Sequence, residues 1–365
     1  MIVKIGDVIS EYSVRNKFDE NIPVYSVTNE KGFCTGYFSK EVASKDKSTY
    51  KIVPRGYFAY NPSRINVGSV DWQKYEDRVI VSPLYVVFGV SDRLDRQYLL
   101  HYLKSDMMLS FIKEYATGSV RDNLKLADLG KFPINLRPVE EQRQIATTLD
   151  KIDDLIAKRR QQLDKLDELV KSRFIEMFGD CIDNPKGWKT KCLEDIAEVG
   201  SSKRVFIEEL QEAGIPFYRG TEVGALAEGK QISPELFITE EHYTELCKAT
   251  GTPQIGDLLM PSICPDGRIW VVNTEDPFYF KDGRVLWVHA IDNSYNPVFL
   301  LYTLKDRIMA DYSSIASGTT FAELKIFALK KCRIFDVPIE LQNQFAAFVV
   351  QTDKSKSFDD LEVAA

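Results

Sequence analysis

The sequence predicts an α+β fold: two tandem mixed α/β domains separated by a long coiled-coil-type helix, with a second, shorter helix at the C-terminus. Three observations predict it. First, "PVEEQRQIA" (138–146) returns as "PIELQNQFA" (338–346), an offset of 200. Second, the similarity extends upstream in order. "GSVRDNLKLADLGKFPI" (118–134) lies over "GTTFAELKIFALKKCRI" (318–334), "YLLHYLKSDMM" (98–108) over "FLLYTLKDRIM" (299–309), and "IPVYSV" (22–27) over "IPFYRG" (215–220). A preserved order with a drifting offset is the mark of two diverged copies with insertions in their loops. Third, a heptad pattern follows the first copy and is repeated only in part after the second. The predicted boundaries are 1–136 and 181–336 for the two domains, 137–180 for the central helix and 337–365 for the shorter one. A chain of 365 residues suits two cores better than one.

Within the first copy, "RVIVSPLYVVFGV" (78–90) is β-branched and apolar and predicts buried strands. "RQYLLHYLKSDMMLSFIKEYATG" places Leu99, Tyr102, Leu103, Met107, Phe111 and Tyr115 at helical spacing, with Gly118 as the stop. The second copy answers with "DGRVLWVHAI" as strand and "NPVFLLYTLKDRIMADYSSIASG" as helix, ending at Gly318. The central helix opens on proline and glutamates, which favour a helix N-terminus, and runs from Val139 to Phe178, with Gly179 as its stop. Its seam reads Ile145, Leu149, Ile152, Ile156, Arg159, Leu163, Leu166, Val170, Arg173 and Met177, mostly apolar with charged flanks. The shorter helix continues the register with Phe345 and Val349, then turns polar at Thr352, Lys356 and Asp359. Its natural role is to pair with the central helix; either it covers only part of the seam or another chain covers the rest.

Composition narrows the function classes. Hydrophobic residues make up 44% and charged residues 28%, and the net charge is −7, which argues against indiscriminate nucleic-acid binding while leaving a local basic face open. No apolar run reaches the ~20 residues of a membrane span, and "MIVKIGDVIS" lacks a basic region before an apolar core. Six cysteines without a CxxC pair fit a reduced, cytoplasmic chain without a zinc site. The three histidines (101, 242, 289) are far apart, and no HExxH or GxSxG motif is present. "GALAEGKQ" (224–231) has GxxxxGK spacing but puts Gln231 where a magnesium-binding hydroxyl is needed. The pattern is that of a protein that binds and positions.

Each copy carries a loop mixing basic, amide and hydroxyl groups among aromatics. In "YNPSRINVGS" (60–69), Asn61, Ser63, Arg64, Asn66 and Ser69 are expected to reach outward; in "MPSICPDGRIW" (260–270), Ser262, Asp266 and Arg268. Arginine and asparagine can make paired contacts to base edges, while hydroxyls and lysines take phosphate. Arg15, Lys17 and Arg121 add positive charge to the first copy, and Lys203, Arg204 and Arg219 to the second.

The two matching helix starts, the IPxY segments, "YNPSRINVGS", "GDLLMPS" and Gly187-Trp188 together resemble the specificity subunit of type I restriction–modification systems, over the whole chain. That resemblance implies that each α/β copy is a target-recognition domain reading one half of a split site on double-stranded DNA. It implies that the two helices pack antiparallel as a spacer and dock methyltransferase subunits, two in number. S-adenosylmethionine is expected on those partners, and ATP and Mg elsewhere in a complex that includes a restriction motor-nuclease subunit. No catalytic residue, metal or cofactor is expected on this chain. The short second helix departs from the family pattern, and it leaves room for self-association through the incompletely paired helix. The competing readings are a DNA-modifying or DNA-cleaving enzyme acting alone, and a coiled-coil scaffold that binds only protein.

Overall fold

The computed structural model describes residues 1–36, 47–116, 123–317 and 322–362. The chain divides into two compact units, 1–159 and 160–365, each with its own core. The predicted α+β class and the tandem arrangement are both present.

In the first unit a four-stranded antiparallel sheet takes the spatial order Ile9–Glu11, Val86–Val90, Phe58–Tyr60, Val70–Trp72. The second unit builds the same sheet in the same order from Glu198–Gly200, Val285–His289, Leu258–Pro261 and Trp270–Val271. Central strands are apolar throughout, because helices and loops cover both faces: Phe58, Ala59, Tyr60, Val87 and Phe88 are buried in one unit, and Leu258, Leu259, Met260, Leu286 and Val288 in the other. Each unit also closes its start onto its end. Ile2–Lys4 pairs with Pro133–Asn135 and Thr190–Cys192 pairs with Arg333–Phe335, both antiparallel. The ladder is continued by Leu136 N–H to Met1 O in the first unit and Asp336 N–H to Lys189 O in the second, both at 2.7 Å.

The repeated helix start has a structural cause. Gln142 and Gln342 are fully buried. The Gln142 amide accepts from the Asp95 N–H (2.8 Å) and donates to the carbonyls of Arg93 (2.9 Å) and Arg137 (2.7 Å). The Gln342 amide accepts from the Asn296 N–H (2.8 Å) and donates to the carbonyls of Ser294 (3.0 Å) and Val337 (2.8 Å). Asp95 and Asn296 are themselves the N-caps of the helices Arg96–Lys104 and Pro297–Ile315. One side chain therefore ties the end of each sheet, a helix cap and the start of the next helix together, using backbone partners only.

Two expectations for the helices need correction. The segment after the first sheet is two helices, Arg96–Lys104 and Asp106–Ala116, because Ser105 is extended (φ −65, ψ 146) and its hydroxyl donates to the Tyr102 carbonyl. The break resets the helical phase, so Met108 and Ile112 are buried while Met107, Phe111 and Tyr115 face solvent. The expected stops Gly118 and Gly318 lie outside the described residues.

The long helix spans Val139–Phe178, forty residues or about 60 Å at ~1.5 Å per residue, and Gly179 ends it in the left-handed region (φ +86). Within the first unit His101 Nε2 meets Asp150 Oδ1 at 2.8 Å, and Gln97 Nε2 donates to the same carboxylate at 2.7 Å, fixing the helix's first half. In the second unit the shorter helix, Ile339–Glu362, packs Phe345 and Val349 against it. The partners are Val170, Phe174 and Phe178, a ridge of every fourth residue, with ring centroids of Phe174 and Phe178 at 5.3 and 5.7 Å from Phe345. The expected seam is thus rotated. Arg173 stays at its edge over the Phe348 ring (5.9 Å), Met177 is half-buried, and Phe174 and Phe178 take the core. Lys356 reaches Asp167 at 2.6 Å. Further back Leu163 and Leu166 are half-buried, as is Ile145, whereas Leu149, Ile152, Leu155 and Ile156 are exposed.

Candidate nucleic-acid interface

In the first unit the loop leaving the strand Phe58–Tyr60 is built around an asparagine turn. Asn61 Oδ1 accepts from the Ser63 N–H (3.1 Å) and hydroxyl (2.9 Å), and the Arg64 N–H donates to the Asn61 carbonyl (2.9 Å). Gly68 closes the turn at φ +81, where a Cβ would come within 2.6 Å of Asn29 Oδ1, so only glycine fits. Tyr60 anchors the base: its hydroxyl donates to the Leu124 carbonyl at 3.0 Å, and burial pushes its pKa up. On this frame Ser63 and Arg64 are exposed, Asn61 and Asn66 half-exposed, and Arg64 makes no ion pair among the described residues. Arg15 and Lys17 are likewise exposed and without an ion pair among the described residues. Arg121 lies outside the described residues.

The corresponding loop of the second unit is held by Cys264. Its N–H donates to the Tyr312 hydroxyl (3.2 Å) and its thiol to the Arg268 carbonyl (3.1 Å). Burial pushes that thiol up to about 12, so it is a structural group and not a nucleophile at neutral pH. Gly267 turns the chain at φ +66 with Lys305 packed beneath it.

The two loops differ in charge. Arg268 Nε lies 2.8 Å from Asp266 and its Nη1 3.6 Å from Glu228, with the guanidinium lying over Gly224, where a Cβ would fall 2.9 Å from it. Arg219 is held between Glu222 (2.6 Å) and Glu235 (3.1 Å). Burial opposes ionisation of Glu222, yet the Arg219 guanidinium and N–H, with the Thr221 hydroxyl, outweigh it and bring the carboxyl down to about 2. Arg204 pairs with Asp282 at 3.1 Å, while Lys203 is exposed with no ion pair among the described residues. The positive charge expected from Arg204, Arg219 and Arg268 is therefore largely answered by carboxylates of the same unit.

Two hydroxyls expected to reach outward do not. Ser69 is 4% exposed and Ser262 2%. Ser69 directly precedes the strand Val70–Trp72 and Ser262 directly follows Leu258–Pro261; the Ser262 N–H donates to Arg284 O (2.9 Å) and its carbonyl accepts the Leu324 N–H (2.7 Å), which holds it within the unit.

The model for the type I restriction modification DNA specificity domain matches this chain twice, over residues 2–168 and 185–358. The chain belongs to that family. Among curated members, it is 29% identical over 285 residues to the type I restriction enzyme MjaIX specificity subunit of Methanocaldococcus jannaschii, an alignment taking in 71% of this chain and 62% of that one. It is 27% identical over 271 residues to the putative type I restriction enzyme specificity subunit S.HindORF215P of Haemophilus influenzae, covering 73% and 66%. The chain thus spans less than two thirds of the length of these relatives. The fold matches that of a type I restriction–modification S subunit from M. genitalium, with a TM-score of 0.51 and 16% identity over 100% of this chain and 92% of that one. Among the described residues no helix is long and apolar enough to cross a membrane. Both copies of the family domain end in the helix whose buried glutamine, Gln142 or Gln342, clamps the junction.

Proposed function

We propose that this chain is the non-catalytic specificity subunit of a cytoplasmic type I restriction–modification complex, each unit reading one half of a bipartite site on double-stranded DNA. The observation that supports this reading is the DNA specificity domain occurring twice, on two units with the same sheet order and the same glutamine-clamped junction. In the first unit Arg64 and Asn66 stand on a rigid turn that Asn61 Oδ1 closes, the placement that base-edge contacts require; Asn61 meets a base by paired contacts only by giving up Ser63, and Ser63, Arg15 and Lys17 suit phosphates. In the second unit Lys203 is the comparable phosphate group, and Arg268 meets DNA only by giving up Asp266 or Glu228.

The exposed Leu149, Ile152, Leu155 and Ile156 form an apolar stripe on the long helix, and stripes of this kind mark protein contact sites. In this reading methyltransferase subunits dock there, carrying S-adenosylmethionine and methylating adenine, and a motor-nuclease subunit using ATP and Mg completes the assembly. The chain contributes recognition and spacing, not chemistry.

The test is co-expression with a cognate type I methyltransferase subunit, followed by genome-wide mapping of methylated adenines. A two-part motif with a fixed gap is expected. Methylation by this chain alone, or a single undivided motif, overturns the reading. Deleting the heptad Arg159–Lys165, which leaves the stripe in place, removes about 10 Å of helix and should alter the gap while leaving both half-sites intact.

A further inference from the structure

We propose that the turn after the first sheet strand of each unit is a DNA-contacting finger, with Phe18 as the apolar tip in the first unit and Phe206 with Ile207 in the second. The inference rests on the DNA-recognition reading above and adds to it residues outside the polar loops.

The two turns are topologically equivalent. Each follows the outer strand of the four-stranded sheet, Ile9–Glu11 or Glu198–Gly200, and each precedes an IPxY segment, at Ile22 and at Ile215. Each carries large apolar side chains in water: Phe18 is 88% exposed, Phe206 58% and Ile207 79%. Single exposed apolar residues are ordinary on a surface; rings held out by a purpose-built turn, at the same place in both units, are not.

The first turn is rigid. Asn16 is buried, and its side chain closes the loop by donating to the Glu20 carbonyl (2.9 Å) and accepting the Glu20 N–H (3.1 Å). Its own N–H donates to the Tyr50 carbonyl (2.9 Å) and its carbonyl accepts the Asp19 N–H (2.9 Å). Asp19, next to Phe18, sits at φ +50, a left-handed conformation costing about 1 kcal/mol or more for a residue with a Cβ. That conformation accompanies the closure of the turn on Asn16, from which Phe18 projects. In the second unit the Lys203 N–H is tied to the Tyr279 hydroxyl (2.9 Å), Val205 is buried, and the single turn Ile207–Glu209 is closed by Glu209 accepting the Phe206 N–H (2.7 Å).

Charge chooses the occupant. Arg15 and Lys17 precede Phe18, and Lys203 precedes Phe206, all three without an ion pair among the described residues of a chain whose net charge is −7. Of the nearby acids, Glu20 pairs with Arg78, Asp19 accepts the Lys47 N–H (3.0 Å) and Glu209 closes its turn, while Glu208 stands exposed beside Ile207. An apolar tip beside unpaired cations matches DNA, where cations take phosphates and phenyl or aliphatic groups press on sugars or base steps.

The experiment uses the full chain in complex with a cognate type I methyltransferase subunit. The probes are a duplex bearing the methylation-mapped site and a duplex with that site scrambled. Phe18→Ala should weaken binding to the mapped duplex about ten-fold, as expected for loss of one aromatic contact with a base, and Phe18→Tyr should restore it. Phe206→Ala with Ile207→Ala should do the same for the other unit. Arg15→Gln with Lys17→Gln should flatten the slope of log affinity against log salt by about 2, one step per phosphate released. Because the tips are exposed, the alanine variants should keep the parent's thermal transition. A preferring parent with Phe18→Ala binding within two-fold of it overturns the fingers alone, as does a Phe18→Ala chain that no longer assembles with the methyltransferase, which marks a protein contact. A parent complex without preference for the mapped duplex overturns the recognition reading and the fingers with it.

Discussion

Replacing Gln142 by leucine tests whether the repeated helix start is held by one amide. The substitution keeps roughly the same volume and removes three hydrogen bonds, to Asp95 N–H and to the Arg93 and Arg137 carbonyls. Each such bond contributes about 1 kcal/mol net, and a buried group left unpaired costs ~1–3 kcal/mol, so a loss of about 3 kcal/mol is expected for the first unit. The effect should be local, because every partner lies within that unit. Hydrogen exchange resolved by peptide is the fitting assay, since a chain of two cores does not unfold in one step. A loss of this size speeds exchange across the cap and first turn of Arg96–Lys104 by about a hundred-fold, with residues 294–300 of the other unit unaffected. Gln342→Leu should produce the mirror result. The glutamate variant sharpens the case. A carboxylate faces two carbonyl oxygens there, so its folded pKa is raised above its unfolded value. Gln142→Glu should therefore be closest to the parent at low pH and lose stability as pH rises past the ordinary glutamate range. Exchange at residues 95–99 within three-fold of the parent in Gln142→Leu would refute the clamp.

Other perturbations follow from the same geometry. Glu222, ordinarily near 4.5 and held at about 2, contributes stability that is complete above 4.5 and lost as pH falls through about 2. Acid titration of the second unit should show a step of the order of 1 kcal/mol in that window, after solvent screening, that is missing in Glu222→Gln. Changing Leu149, Ile152 and Ile156 to serine together should leave the isolated chain's unfolding midpoint within the error of measurement and abolish co-purification with the methyltransferase; a large shift in midpoint would mean the stripe is covered within the chain. Arg64→Ala should relax base preference in one half-site only, read by methylome mapping. Arg268→Ala, by contrast, removes a group already bound to Asp266 and Glu228, and should lower the second unit's stability while leaving both half-site sequences unchanged.

Much of this architecture is legible in the sequence because it is written twice. The order of matched segments reveals the two units, and the apolar periodicity with Gly179 locates the long helix, since both depend on local pattern. Side-chain direction depends on what lies across from it, and there the sequence misleads. A heptad count puts Arg173 in the seam, but the shorter helix packs on the ridge of Val170, Phe174 and Phe178. Ser105 looks like an ordinary helical residue, yet its extended backbone resets the phase and buries Met108 in place of Met107. Among the candidate DNA contacts, Asp266 two residues away is a local sign that Arg268 is engaged, but its second partner, Glu228, lies forty residues away and is not legible; Arg64, with no acid nearby in the sequence, makes no ion pair among the described residues. Phe18 and Phe206 were hidden for the opposite reason: an isolated phenylalanine reads as core until its exposure is known. The one available signal was their shared position before the two IPxY segments.

The glutamine clamp also bears on how such a chain can change. Gln142 and Gln342 grip main-chain atoms alone, so the joint makes no demand on the side chains of the domain it secures. A recognition domain of altered loops, or one taken whole from a relative, would meet the same socket as long as its closing strand and helix cap arrive in register. On the reading proposed above, the recognition loops of one half can then change while the clamp, and in the first unit the Gln97 and His101 contacts to Asp150, keep the following helix in place.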